Sequence, residues 1–332
     1  MHIIYQGDLL KNILIVFGGN SFEHEVSIKS ASNIYNFIDK SLFNVNSLYI
    51  SKEGIWYEFN NDFKNINIKN LRKIYNIIEY LKRYDLVFNI IHGYSGEDGK
   101  LQSLFELFEL KYIGPDSYSS FVCMNKIITK LLLEANNIKT TKFVIYKTIK
   151  DTIKNLKFPM VVKPSDGGSS CGVSIVNNIG ELKQGIKEAK KYSFNILVEE
   201  YIKGRELECA ILENNNKLIV SKLGEIVVNK NIYSYEDKYV TNKSMLITPT
   251  SINYTVENSV KNIAKKAFNI CKCKGLARID FLYDEINNKI YLNEINTLPG
   301  FTDISMYPKL LSLEGYNYTD LLTIIINNEL NS

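Results

Sequence analysis

Ala277-Arg-Ile-Asp-Phe-Leu-Tyr283 and Ile290-Tyr-Leu-Asn-Glu-Ile-Asn296 alternate like two β-strands, and Asp284-Glu-Ile-Asn-Asn-Lys289 between them reads as a turn. With the loop centred near Asn287, Asp280 falls opposite Glu294, Arg278 opposite Asn296 and Leu282 opposite Leu292. A side-chain period of two then points all six to one face. Two carboxylates directly opposed sit about 5 Å apart at Cβ and repel each other. Leu282 and Leu292 make the face partly buried, where that repulsion is less screened. A cation therefore belongs between the carboxylates. Oxygen ligands without His or Cys call for Mg²⁺ or Mn²⁺, not zinc. The plainer alternative is a solvated face with a chance pair; the leucines and Arg278 count against it.

Upstream, Lys163-Pro-Ser-Asp-Gly-Gly-Ser-Ser-Cys-Gly172 follows an apolar strand. Gly167, Gly168 and Gly172 let backbone N–H groups turn toward an anion, and Ser169 and Ser170 add hydroxyl donors. Lys163 can place a point charge on a phosphate. The loop is neither a Walker A sequence nor GxGxxG. Alone, a Gly/Ser loop is more often a flexible connector. Together with Lys163 and the carboxylate hairpin, it reads as half of a nucleoside-triphosphate site.

The rest of the chain supplies α/β units. Ile13-Leu-Ile-Val-Phe17 is a continuous apolar run, as in a buried parallel strand, and ends at Gly18-Gly19 ahead of a helix from about Val26. A second run, residues 85–91, ends at His92-Gly93, followed by a helix with Leu101, Leu104, Phe105 and Phe108 at helical spacing. This predicts an open parallel-sheet domain with ligands at the strands' carboxyl ends. Beyond Pro115 the pattern gives a helix over 125–136, strands near 142–146, 160–163 and 196–200, then strands at 206–212 and 218–226. A helix near 256–271, the hairpin and one closing helix complete the chain. The expected units are 1–114, 115–198 and 199–332.

Composition narrows the function classes. The 332 residues are 45% hydrophobic and 23% charged, an ordinary globular balance. A net charge of +4 gives no ground for a nucleic-acid or membrane-surface partner. The first residues lack the basic start of a signal peptide, and no apolar run approaches a membrane span. Five cysteines, an odd number, do not form a secreted disulfide framework, and Cys271-Lys-Cys273 has no CxxC or His to complete a metal site. A soluble cytoplasmic protein with reduced thiols is expected.

Taken together, Lys163 with its Gly-Ser loop, Val198-Glu-Glu-Tyr201, Gly275–Asp280 and Asn293-Glu-Ile-Asn-Thr-Leu-Pro-Gly300 resemble the ATP-grasp superfamily, and within it the D-alanine–D-alanine ligase family. Gly18-Gly-Asn-Ser-Phe-Glu-His-Glu-Val-Ser27, His92-Gly-Tyr-Ser-Gly-Glu-Asp-Gly99 and Tyr235-Glu-Asp-Lys-Tyr239 are similar to that family's further signatures, in the same order. Glu200, Cys171 and Phe22 depart from the pattern. The resemblance implies a three-domain ATP-grasp fold. It also implies ATP-dependent joining of two D-alanines through an acyl phosphate, for peptidoglycan precursors, in a cytoplasmic homodimer. It assigns Lys126, Lys163, Lys238, Ser169, Ser170 and Asn293 to the phosphates, Glu199, Glu200 and Ile202 to the adenine, and Glu206 to the ribose. Asp280, Glu294 and Asn296 would hold two Mg²⁺ or Mn²⁺ ions. Glu23 would take the first D-alanine's ammonium, with His92 assisting its carboxylate. Ser305 and the Met306 N–H would take the second carboxylate, and Arg278 with the Gly300 N–H the oxyanion. Residues 229–244 would close over the site, with Ser169, Tyr239 and Glu23 as a latch. Tyr239, neutral at pH 7, implies D-alanine rather than D-lactate as second substrate. A D-alanine–D-lactate ligase and an idle nucleotide-binding module are the alternatives; the complete set of Arg278, Asp280, Glu294 and Asn296 disfavours idleness. A dinucleotide oxidoreductase is discounted for want of GxGxxG.

Overall fold

The structure, a computed structural model, describes residues 10–215, 217–227 and 245–331. The first sheet holds β1 (Lys11–Gly18), β2 (Phe43–Ile50), β3 (Trp56–Phe59), β4 (Arg72–Lys73) and β5 (Leu86–Asn89) in the order β4-β3-β2-β1-β5. β2, β1 and β5 are parallel, and β3 and β4 add an antiparallel edge. Residues 13–17 of β1 are fully buried, as a central strand covered on both faces must be. The helix His24–Phe37 is tied to the ends of two strands through Ser27, whose Oγ accepts from the Gly18 N–H (2.9 Å) and donates to the Ile90 carbonyl (2.7 Å). That tie brings Glu23, one residue before the helix, to the carboxyl edge of the sheet, beside His92.

The second sheet is antiparallel: β6 (Phe143–Ile145), β7 (Met160–Pro164), β8 (Ser174–Val176) and β9 (Ile196–Glu200), ordered β6-β9-β7-β8. β7 ends in Lys163-Pro164 and delivers the Gly-Ser loop. The third sheet runs β13-β12-β10-β14-β15, from β10 (Arg205–Asn214), β12 (Gly224–Val227), β13 (Met245–Ile247), β14 (Leu276–Asp284) and β15 (Lys289–Asn296); β11 (Lys217–Val220) pairs with the far end of β10. Ile279, Phe281, Tyr283, Leu292 and Ile295 face one core of this sheet, against Val260, Ala264 and Phe268 of the helix Tyr254–Ile270. The opposite face of β10, β14 and β15 is the cleft.

Three expectations change. Asp280 does pair with Glu294, and Arg278 with Asn296, but a bulge after Asp280 shifts the register so that Phe281 pairs with Leu292 and Leu282 with Tyr291. Asn293 is the extra residue. Leu292 therefore turns into the core, and Leu282 stays on the cleft face without it. The single strand expected at 218–226 is two, β11 and β12, because Ser221 breaks the ladder: its Oγ accepts from the Ala210 N–H (2.9 Å) and donates to the Lys222 carbonyl. The closing helix is also two, Met306–Ser312 and Tyr318–Leu330, separated at Gly315 (φ +92°). Their buried faces join the core of the first sheet to β10. No helix among the described residues is long and apolar enough to cross a membrane.

Candidate active site

Two chambers meet along the cleft. One, bordered by the first sheet, is lined by Glu23, His92, Asn296, Gly300, Ser305 and Met306. The other, between the second and third sheets, is lined by Lys163, Ser170, Glu199, Glu200, Ile202, Glu206, Asp280 and Asn293. Lys126, Ser169, Glu208, Arg278 and Glu294 line both. Every site residue expected from the sequence and lying in the described part is thus brought to one continuous cleft. Lys238, Tyr239 and the segment 229–244 lie outside the described residues.

In the inner chamber, Glu23 is fixed by the Gly-Ser loop: the Ser169 hydroxyl donates to its Oε1. Ser169 and Ser170 are left-handed, at φ +52° and +59°, a conformation that costs a non-glycine residue energy and is typically retained at functional loops. Gly93 is required beside Glu23: at φ +71°, an added Cβ would lie 2.9 Å from Oε2. His92 is buried, with Nδ1 3.2 Å from the Leu298 carbonyl and Nε2 3.2 Å from Ser30 Oγ; the carbonyl can only accept, so Nδ1 carries a proton. Burial opposes charge on the ring, but Glu97, whose Oε1 is 3.8 Å from Nδ1, together with Glu23 and the Leu298 carbonyl outweighs it and raises the His92 pKa. Glu97 also accepts from the Gly93 N–H at 2.8 Å. Ser305 Oγ is held by Thr302, accepting from its N–H at 2.9 Å.

The outer chamber is built on lysines. Lys126 Nζ donates to the Gly167 carbonyl (2.6 Å), which fastens the loop to the helix Lys126–Ala135; burial and Lys163 lower its pKa against the opposing pull of Glu294, Glu199 and Asp166. Lys163 Nζ lies 3.0 Å from Glu199 Oε2 and donates to Asn293 Oδ1 at 3.1 Å. The Glu199 carboxylate does not face the chamber freely. It is wedged between Lys163 and the buried Lys130, whose Nζ is 3.1 Å from Oε1. Burial would raise its pKa, yet the two ammonium groups pull it down to about 2. Only the Glu199 backbone is left for a ligand. Glu200 Oε1 accepts from the Lys142 N–H at 3.2 Å.

The floor is a row of charges. Glu208 pairs with Asp280 across β10 and β14, and Asp280 with Glu294 across β14 and β15. Arg278, the previous cleft-facing residue of β14, forks onto Asp280, with Nε to Oδ1 at 2.8 Å and Nη2 to Oδ2 at 2.7 Å. Its Nε is also 3.3 Å from Glu208 Oε2. Desolvation alone would discourage the guanidinium's charge; Asp280 and Glu208 reverse that and hold it ionised. Arg278 thus places a positive charge within the chain against Asp280 and Glu208. Among the described residues no three or more His, Cys, Asp or Glu side chains are arranged to hold a metal ion. The sequence pattern did not single out Glu208, Glu97 or Lys130 as site residues. Glu208 carried one signal, its period-two spacing from Glu206 on the same strand.

Residues 12–115 match the family described as D-ala D-ala ligase N-terminus, and residues 126–327 the family described as D-ala D-ala ligase C-terminus. The chain is 39% identical to the D-alanine--D-alanine ligase B of Clostridium tetani, covering 98% of this chain and 97% of that protein. It superimposes on the VanG D-Ala:D-Ser ligase from Enterococcus faecalis with a TM-score of 0.86 at 32% identity, covering 96% and 99% of the two chains. The D-alanine--D-alanine ligase from Bacillus anthracis complexed with ATP gives 0.78 at 26% identity, covering 97% and 98%.

Proposed function

Because the chain belongs to the D-alanine–D-alanine ligase family, we propose a division of labour for its cleft around the reaction of that family. The protein is an ATP-dependent ligase of the ATP-grasp fold that joins two D-alanines and releases ADP and phosphate, for peptidoglycan precursor synthesis. The carboxylate of the first D-alanine attacks the γ-phosphorus, the bond to the bridging oxygen breaks, and ADP leaves. The amine of the second attacks the acyl-phosphate carbonyl, and the tetrahedral intermediate collapses with loss of phosphate and the amine's proton.

For the described residues the reading rests on which chamber each lines; for Lys238 and Tyr239 it rests on the family resemblance alone. Lys126, Lys163 and Lys238 neutralise phosphate charge, with Ser169, Ser170 and Asn293 as donors around them. The Glu199 and Ile202 backbone and Glu200 border the adenine, and Glu206 the ribose. Glu23, oriented by Ser169, receives the first ammonium; His92, whose pKa Glu97 and Glu23 raise, faces the first carboxylate. Arg278 and the Gly300 N–H stabilise the oxyanion, a contribution of roughly 3–4 kcal/mol per well-placed donor. Ser305 and the Met306 N–H hold the second carboxylate, and Tyr239 completes the latch to Glu23.

Asp280, Glu294 and Asn296 form an all-oxygen set, and the first two are opposed on adjacent strands, which fits two Mg²⁺ or Mn²⁺ ions. When bound, such ions neutralise the charge spread over the transferring phosphoryl group. The three-unit division at 1–114, 115–198 and 199–332, a homodimer and a cytoplasmic location belong to the same reading.

The observation that carries the proposal is the convergence of the Glu23–Ser169 contact and the Arg278–Asp280 fork on the wall shared by the two chambers. The test is phosphate release from ATP with D-alanine, D-serine or D-lactate, with and without Mg²⁺, the products resolved by mass. One phosphate per D-alanyl-D-alanine, with an absolute divalent-ion requirement, is expected. ATP turnover independent of D-alanine, or D-alanyl-D-lactate as the main product at pH 8, would reject it.

A further inference from the structure

Glu208 is the charged residue of the shared wall that the reaction above leaves without a task. It lies on β10 with 3% of its surface exposed, in register with Asp280. Adjacent strands are about 4.8 Å apart, so Glu208, Asp280 and Glu294 form a row across three strands. Arg278 stands one cleft-facing position along, bound by both oxygens of Asp280 and approached at 3.3 Å by Glu208.

This arrangement places two demands on Asp280. It binds the guanidinium in a two-pronged fork, and as a divalent-cation ligand it must give at least one oxygen to the ion. Giving up that oxygen loosens its hold on Arg278 at the stage when Arg278 must stay aimed at the reacting carbonyl. A desolvated guanidinium left with one prong of its fork would be free to tilt. We propose that Glu208 is a positioning residue that holds Arg278 in place while Asp280 turns to the divalent cation. It thereby shares the arginine between two carboxylates and leaves the second half-reaction its oxyanion donor. The inference rests on reading Arg278 as that donor and Asp280 as a cation ligand.

Glu208→Gln in the full chain tests it, with urea unfolding confirming that the variant folds. Two readouts are used. The first is phosphate released per dipeptide formed. With Arg278 loosened, amine attack slows and water consumes the acyl phosphate, so the ratio rises above one while dipeptide kcat falls about tenfold. The second involves no turnover: the Mg²⁺ concentration at half-maximal binding of a fluorescent ADP. With Glu208 neutral, Arg278 competes for Asp280 alone, and the midpoint rises about fivefold, the equivalent of about 1 kcal/mol. Glu208→Asp, which keeps the charge, restores the coupling ratio in part. A folded Glu208→Gln with unchanged ratio and unchanged midpoint overturns the proposal. Arg278→Gln serves as the control: if it stays tightly coupled, the reading of Arg278 as the oxyanion donor fails instead.

Discussion

Changing Glu199 to glutamine removes one charge from a place where two lysines depend on it. Lys130 Nζ and Lys163 Nζ lie 3.1 and 3.0 Å from its two oxygens, and the Lys130 side chain is only 2% exposed. The carboxyl, ordinarily at 4.5, is held at about 2. That difference is worth roughly 3 kcal/mol at neutral pH, in line with about 3–5 kcal/mol for breaking a buried pair. The partners do not share the gain equally. Burial leaves the Lys130 pKa lowered despite the contact, whereas that of Lys163 is raised. Lys130, left with Thr141 at 2.7 Å and the Phe143 ring at 5.5 Å, therefore bears most of the loss, and Lys163 can lean on Asn293. Urea unfolding at pH 7 should show Glu199→Gln less stable by about 3 kcal/mol. Adding Lys130→Met removes the stranded ammonium, so the double variant should cost less than the two single changes together by about 1–3 kcal/mol. The sign with pH follows from a depressed carboxyl pKa. The contribution is complete above about pH 4.5 and is lost as the pH falls toward 2. The gap between wild type and Glu199→Gln should narrow only below pH 4.5. A gap under about 0.5 kcal/mol at pH 7, or strictly additive variants, would show that Glu199 does not tie Lys130 of the helix Lys126–Ala135 to the second sheet.

Two further outcomes follow from the site. Glu294→Gln removes one of the two opposed carboxylates, so ATP turnover at limiting Mg²⁺ should fall at least about a hundredfold with unfolding unchanged; activity within about twofold of wild type would make the hairpin structural. Glu97→Gln removes the charge that raises the His92 pKa. A raised histidine pKa stabilises below its unfolded value of about 6.5 and the gain disappears as the pH climbs through the folded value. The variant should therefore lose more stability at pH 6 than at pH 9, measured by urea midpoints at both, and an equal loss at the two would place the charge elsewhere.

How much was legible in advance depended on distance along the chain. Residues 13–17 announce a doubly covered strand, and the hairpin's alternation announces which side chains share a face, because both signals lie within one element. Asn125 capping the helix Lys126–Ala135, through its side chain and the Ile128 N–H (3.0 Å), is equally local. The bulge at Asn293 is not. It is one unpaired residue in an otherwise regular pattern, and what selects it is the core that receives Leu292 and the lysine that receives Asn293. Lys130 reads as an ordinary polar residue of an amphipathic helix until β9 brings Glu199 under it. Glu97 reads as one more loop carboxylate until the chain folds it back to His92. Glu208 lies 72 positions from Asp280, and nothing in either strand states that the two are paired. By itself, then, the sequence determined the buried strand at 13–17, the carboxylate hairpin with its opposed pair Asp280 and Glu294, the Gly-Ser loop and the family resemblance, but not where 218–226 and the closing helix are broken. Tertiary structure alone decided which buried charges answer which, because a charge is stabilised by whatever lies within a few ångströms in space, and strand register between distant segments is chosen by the packing of the whole sheet.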